Sequence, residues 1–233
     1  MTESNIEQQD FIKDGILSLY IKWSYFSNWL EKGAILLGDY EDWEDRSDVA
    51  ILNAYVERNN NVPVRVLCLL DRTGDSRDSY YHWKIYAKED GIRIDFDSHK
   101  LLNALGDSVI SGEVEYPSNK ELEKVCKSTP LQYIKRASYD SDKEFRLIFS
   151  GNKGNMKRGQ LFEFKVKKDF FKECIESIRL NYSLSDEKFD KMKNVLKEYG
   201  IKKVYHSKIL KYERWEKMVL KFTDHKHSNG GKK

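Results

Sequence analysis

In the run Ser141-Asp142-Lys143-Glu144-Phe145-Arg146-Leu147-Ile148-Phe149, apolar residues alternate with charged ones. On a strand, Phe145, Leu147 and Phe149 face one way, and Glu144 and Arg146 share the other face. An arginine alongside keeps a carboxylate ionised, because opposite charge favours the charged form. Two uses fit such a pair. It is either a solvated ion pair on an edge strand, which contributes little, or an acid fixed at a cleft, anionic, binding hydroxyls or stabilising positive charge.

A second cluster is Ser79-Tyr80-Tyr81-His82-Trp83-Lys84-Ile85-Tyr86-Ala87. Trp83 and Tyr86 are three apart, so a helical turn puts them on one face. They serve either as core aromatics anchoring the strand that follows or as a stacking wall for a planar ring. A third cluster lies on the first strand, where Tyr20 and Lys22 share one face and Leu19, Ile21 and Trp23 the other.

Other chemistry finds little support. His82, His99 and His206 are scattered without ligand spacing, and His225 and His227 lie in a polar tail, so no metal is expected. No Ser-His-Asp or Cys-His signature is present. Gly151-Asn152-Lys153-Gly154-Asn155 reads as a flexible hairpin tip, since it lacks the Lys-Ser/Thr ending and following helix of a phosphate loop. Lys202-Lys203 and Lys165, Lys167 and Lys168 read first as a solvated face, with a nucleic-acid groove as the alternative.

The elements that must position these residues are legible from period and punctuation. Leu17–Trp23 alternates as a strand, and Ser24 then opens a helix carrying Phe26, Trp29 and Leu30 that Gly33 closes. Ala34–Leu37, Val64–Leu70, Gly91–Asp97, Glu144–Phe149 and Phe162–Val166 read as strands, with Val64–Leu70 apolar throughout and so buried on both faces. Ser118 and Glu121 form a capping-box pattern ahead of Leu122, Val125 and Cys126. Phe189, Met192, Val195, Leu196 and Tyr199 form a helical stripe closed by Gly200. Strands and helices do not alternate strictly, which predicts an α+β fold with a mixed or antiparallel sheet and flanking helices.

Composition sets the bounds. The chain has 233 residues, 39% of them hydrophobic and 34% charged, enough for a substantial core under a solvated surface. No internal linker is visible, so residues 11–224 are expected to form a single domain, with a flexible N-terminus over 1–10 and a disordered tail over 225–233. The net charge of +3 announces no nucleic-acid or membrane partner by field alone. Cys68, Cys126 and Cys174 are odd in number and widely spaced, which reads as reduced thiols. Met1–Asp10 lacks an apolar segment of the signal-peptide kind, and no apolar run approaches about 18 residues. The expected location is cytoplasmic, away from any membrane.

The succession L-Y-x-K-W from Leu19, W-x-x-Y-A-x-x-x-G-I-x-I-D-F-D from Trp83, and K-E-F-R from Lys143 resembles a bacterial family of unknown function. That family is often found beside abortive-infection genes. Its usual forms are L-Y-[RK]-Y, M-W-x-x-Y-A…G-[VF]-x-I-x-F-D and E-K-E-Y-R, and the match runs from Leu19 to about Ile209. This chain departs at Trp43-Glu44-Asp45-Arg46-Ser47-Asp48, where the family favours N-D-P-F, and at Cys68-Leu69-Leu70, where it has C-F-S.

The opening strand with Tyr20 and Lys22, the helix at Trp29-Leu30, and Gly33 before another strand also resemble the start of ADP-ribosyltransferase toxins. Lys143–Phe149 is similar to their late strand, with Glu144 in the catalytic place. The resemblance implies an ADP-ribosyltransferase-like sheet and NAD as a substrate, with no metal. It implies that Trp83 or Tyr86 stacks the nicotinamide, that Lys22 pairs with the pyrophosphate, and that Tyr20 or Lys22 holds the adenylate end or ribose. Arg146 is placed with them among the NAD-binding residues. The implied activity is that of a phage-defence toxin or effector, modifying nucleic acid or protein and held by an antitoxin or chaperone partner. The alternatives are a non-catalytic partner-binding subunit using an exposed aromatic face, and a metal-independent nuclease or RNA-binding protein using lysine, arginine and tyrosine side chains.

Overall fold

The structure is a computed structural model in which residues 12, 14–73, 77–152, 154–210 and 219 are described. The expectations for 1–10 and 225–233 fall outside these residues. Its strands are β1 (Ile16–Lys22), β2 (Ala34–Leu37), β3 (Val64–Leu70), β4 (Gly91–Asp97), β5 (Val109–Glu113), β6 (Glu144–Ser150), β7 (Phe162–Lys165), β8 (Ile175–Leu180) and β9 (Val204–His206). Its helices are α1 (Trp23–Lys32), α2 (Arg46–Arg58), α3 (Ser98–Leu105), α4 (Leu122–Ser128), α5 (Phe170–Cys174) and α6 (Asp186–Glu198). Shorter helical turns connect them.

Seven strands form one sheet in the order β5-β6-β3-β1-β4-β8-β9, antiparallel throughout except for the β8–β9 pair. β2 and β7 form a separate two-stranded sheet. The fold is therefore mixed α+β with a mostly antiparallel sheet, as the order of elements predicts. The 151–155 segment corrects one expectation. It joins β6 to β7, which belong to different sheets, so it is a connection between sheets and not a hairpin tip.

Alternation along the strands sorts the sheet into two unlike faces. Leu17 and Leu19 of β1, Ile92, Ile94 and Phe96 of β4, and Phe145, Leu147 and Phe149 of β6 face one way and form the main core with Phe26, Trp29, Phe170 and Phe171. Each such side chain, fully buried, stabilises the fold by about 1.5–3 kcal/mol. α1 delivers Phe26, Trp29 and Leu30 to this core, and Gly33, at φ 56°, ends the helix by accepting the left-handed turn. The other face carries Ser18, Tyr20, Cys68, Arg93, Asp95, Glu144 and Arg146. It is covered by α2, by the 80–87 turn and by the 131–142 segment.

β3 packs on both faces, with Leu69 in the main core and Val64 and Val66 in a smaller cluster with Leu52, Tyr40 and Tyr133. α4 differs from expectation. The Ser118–Glu121 pair forms, the Ser118 N–H donating to Glu121 at 3.0 Å, but the helix starts after it and buries none of its residues. Among the described residues no helix is long and apolar enough to cross a membrane.

Candidate functional site

Glu144 is the first residue of β6, an interior strand lying between β5 and β3. Lys143, at φ 51° and ψ 57°, turns the chain sharply into it. The Glu144 N–H donates to the Tyr116 hydroxyl at 2.7 Å, and its carbonyl accepts from Val114 N–H at 3.0 Å. The strand start is thus fixed on both sides. The side chain is 7% exposed, so a solvated pair on an edge strand is not what the sequence builds.

Around it stands a buried charged network. Glu144 Oε2 lies 3.0 Å from Arg146 Nη2, and Oε1 lies 3.3 Å from Lys135 Nζ. Arg146 also donates to both oxygens of Asp48, at 2.7 and 2.9 Å, and to the Gln132 carbonyl at 3.1 Å. Lys135 reaches Asp142 at 3.4 Å and lies 4.6 Å from the centre of the Tyr139 ring. Three carboxyl groups (Asp48, Asp142, Glu144) therefore face Lys135, Arg146 and the His82 ring under cover.

Proton affinities follow from this arrangement. Burial raises the Asp48 carboxyl, Arg146 opposes that rise, and Glu144 adds to it; the net is upward. Burial also pushes Asp142 up, but contacts with His82 and Lys135 outweigh it, and its pKa is lowered. For Lys135 burial favours the neutral form, yet Glu144, Cys68, Asp48 and Asp142 together hold it more firmly protonated. Burial, reinforced by Glu144, pushes the Cys68 thiol well up, so this cysteine is no ready nucleophile.

His82 is 1% exposed and forms the wall between this network and the aromatics. It stacks on Tyr20 at 5.5 Å and on Tyr86 at 5.8 Å. Its Nε2 lies 3.4 Å from Asp142 Oδ1, without hydrogen-bond geometry, and its Nδ1 has no partner among the described residues. Arg146 Nε is likewise unpartnered there. Such unmet groups are costly in a closed interior and mark places that water or a ligand completes.

A second polar network lies beside the first on the same face. Asp95 accepts from Ser18 Oγ at 2.7 Å, Arg93 Nη2 at 2.8 Å and Ser177 Oγ at 3.0 Å. Asp78 accepts from Trp83 Nε1 at 2.7 Å and lies 3.6 Å from Arg93 Nη1. Cross-strand register accounts for this, since Ser18 opposes Asp95 and Tyr20 opposes Arg93.

The residues singled out in the sequence are therefore distributed unevenly. Glu144 and Arg146 are in contact. The Tyr20 ring joins them through His82; its hydroxyl donates to the Arg77 carbonyl and accepts from Ser79 N–H. Tyr86 is 42% exposed, yet its hydroxyl is pushed up by burial and by the charges of Asp142 and Glu144.

Trp83 and Tyr86 do not share a face. Residues Trp83–Ala87 wind as a π-turn rather than an α-turn, which directs Trp83 inward at 1% exposure and Tyr86 outward. Trp83 is a core aromatic and no stacking wall. Lys22 lies apart from Glu144, in a basic pocket with Lys84, Lys88 and Lys188.

Asp48, Lys135, His82, Asp142 and Tyr116 were not legible as site residues. Asp48 had a signal, because it precedes Val49 on the face of a helix that also buries Leu52. Among the described residues no group of three or more His, Cys, Asp and Glu side chains could hold a metal ion. No family model, no curated protein and no solved structure matches the chain.

Proposed function

We propose that the chain is an ADP-ribosyltransferase-like enzyme that uses NAD as its substrate and transfers ADP-ribose to a nucleic-acid or protein acceptor. The observation that carries this reading is the placement of Glu144: buried on an interior strand and gripped by Lys135 and Arg146, with Lys135 also reaching Asp142, beside which His82 stacks on the half-exposed Tyr86. The finer fold reading is consistent with it. Strand order β6-β3-β1 sets the Glu144 and Tyr20 strands two apart, with β3 between them and both side chains on the same face of the sheet.

The chemistry needs stabilised positive charge. As the glycosidic bond breaks, its electron pair leaves with the nicotinamide nitrogen and the ribose becomes cationic. A carboxylate on the 2′-hydroxyl, held in place by Lys135 and Arg146, favours that cation through fixed charge rather than reorienting water. Tyr86 offers the planar face for the nicotinamide; Lys22, apart from Glu144 in its own pocket, takes no part. The acceptor's nucleophile then closes on the ribose carbon and gives up its proton to water. An enzyme that drains NAD or blocks nucleic acid would serve as a phage-defence toxin, which gives an antitoxin its purpose.

Purified protein with NAD and cellular RNA, DNA or lysate should release nicotinamide, read by chromatography, and label the acceptor. Glu144→Gln keeps the shape and the donors' partner but loses the charge, and should cut release by at least about a hundredfold. Release that is undiminished in this variant, or absent with every acceptor, removes the proposal.

A further inference from the structure

Lys84 belongs to the π-turn Trp83–Ala87, which the Lys88 N–H closes by donating to the Trp83 carbonyl at 2.7 Å. Single π-turns are uncommon and recur at functional positions. Lys88, which caps it, has φ 59° and ψ −157°, a backbone conformation that residues with side chains adopt only under strain. Gly91 permits the close fold-back, because a Cβ there would lie 2.2 Å from the Ala87 carbonyl oxygen. Backbone strain of this kind clusters at functional sites.

What the turn borders is a pocket of about 940 Å³. Lys22, Lys84, Lys88 and Lys188 line it against two acids, Glu89 and Asp90. Its floor is fixed: the Asn181 side chain donates to the Lys88 carbonyl and accepts from Ser183 N–H at 2.9 Å. Aromatic rings stand among the lysines. Tyr182, in the lining, stacks on Tyr80 at 5.9 Å and 30°; Lys84 lies over Tyr80 and Lys22 over Tyr25. Tyr25 and Tyr80 are 56% and 49% exposed.

We propose that this pocket binds single-stranded nucleic acid, its lysines on phosphates and the Tyr80, Tyr182 and Tyr25 rings against unpaired bases. Lysines along a concavity, with Tyr182 in its lining and the exposed Tyr25 and Tyr80 rings beside it under Lys22 and Lys84, meet the requirements for holding a single strand. A duplex hides its base faces, and a membrane surface calls for a convex or flat basic patch. The inference is independent of the NAD reading, since it is read by binding without NAD.

The test is anisotropy of a labelled oligouridylate of about twelve nucleotides with the full chain, between about 50 and 200 mM salt. Lys84→Ala/Lys188→Ala changes two exposed residues, so the fold should stand. It should weaken binding at least about tenfold and lower the salt slope by about two. Tyr80→Ala should weaken it by about five- to a hundredfold. Lys167→Ala/Lys168→Ala, exposed lysines outside the pocket, removes the same charge and should leave binding unchanged. Failure of the wild-type chain to bind, equal binding of a duplex, or no loss in the Lys84/Lys188 variant overturns the proposal. So does displacement of the strand by inorganic pyrophosphate as effectively as by unlabelled strand, which would make the pocket a small-anion site.

Discussion

Nη2 of Arg146 lies 2.7 and 2.9 Å from the two oxygens of Asp48, and 98 positions of sequence separate the residues. Arg146 is fully buried and Asp48 2% exposed, so neither charge has water to fall back on. The contact fastens α2 across the polar face of the sheet. Removing Asp48 leaves Arg146 buried with Glu144 as its remaining carboxylate: Asp48→Ala should cost about 3 kcal/mol. Asp48→Leu/Arg146→Met removes the pair but also takes from Glu144 one of its two cations, so it should recover only part of that loss. Urea unfolding of the two single variants and the double measures the coupling.

Acid should act on two aspartates in opposite senses. Asp142 has its folded pKa below the ordinary 3.8, so its contribution is complete above about pH 4 and disappears as pH falls through the lowered value. Asp48 has its folded pKa raised; its contribution is complete at low pH and is lost as pH rises through that raised value. Asp142→Asn should therefore make the loss of stability below about pH 4 shallower. Asp48→Asn should remove a decline that begins above it. Unfolding midpoints across a pH series distinguish the two.

Gly91→Ala should destabilise by at least about 2 kcal/mol, because the added methyl meets Ala87 at 2.2 Å. The nearest atom is a backbone carbonyl oxygen, so no side-chain change at position 87 relieves it. A thermal midpoint that stays at the wild-type value would show that the π-turn yields cheaply.

Lys88→Gly should have the reverse sign. The conformation at φ 59°, ψ −157° is one that glycine adopts freely, and relief of about 1–3 kcal/mol of strain should exceed the entropy glycine costs in the unfolded chain. Chemical denaturation should show a net gain of about 1 kcal/mol. The same variant removes a lysine from the basic pocket, so stability and ligand affinity should move in opposite directions.

The parts of the fold that follow local rules were legible in the sequence. β1, α1 and β4 come from strict alternation, a helical apolar stripe, and the Gly33 turn, each set by neighbours within a few residues. Glu144 and Arg146 stood out for the same reason, since the period of two alone puts them on one face. Lys135 and Asp142 lie in irregular segments whose course is set by what they dock onto, so their sequence carries no period to read. The Trp83–Tyr86 expectation failed because one extra residue per turn changes which side chain faces in, and it takes the Gly91 contact to favour that winding. β5, β8 and β9 were missed as short strands whose pairing is decided by distant partners.

The charged network draws on positions 48, 82, 135, 142, 144 and 146. The two Arg146 contacts cannot form in a nascent chain until position 146 has cleared the ribosome, nor can the one to Asp48 persist in a molecule that has let α2 swing away. The polar face is therefore completed late in synthesis, after α2 and the strands β1, β3 and β4 have already emerged.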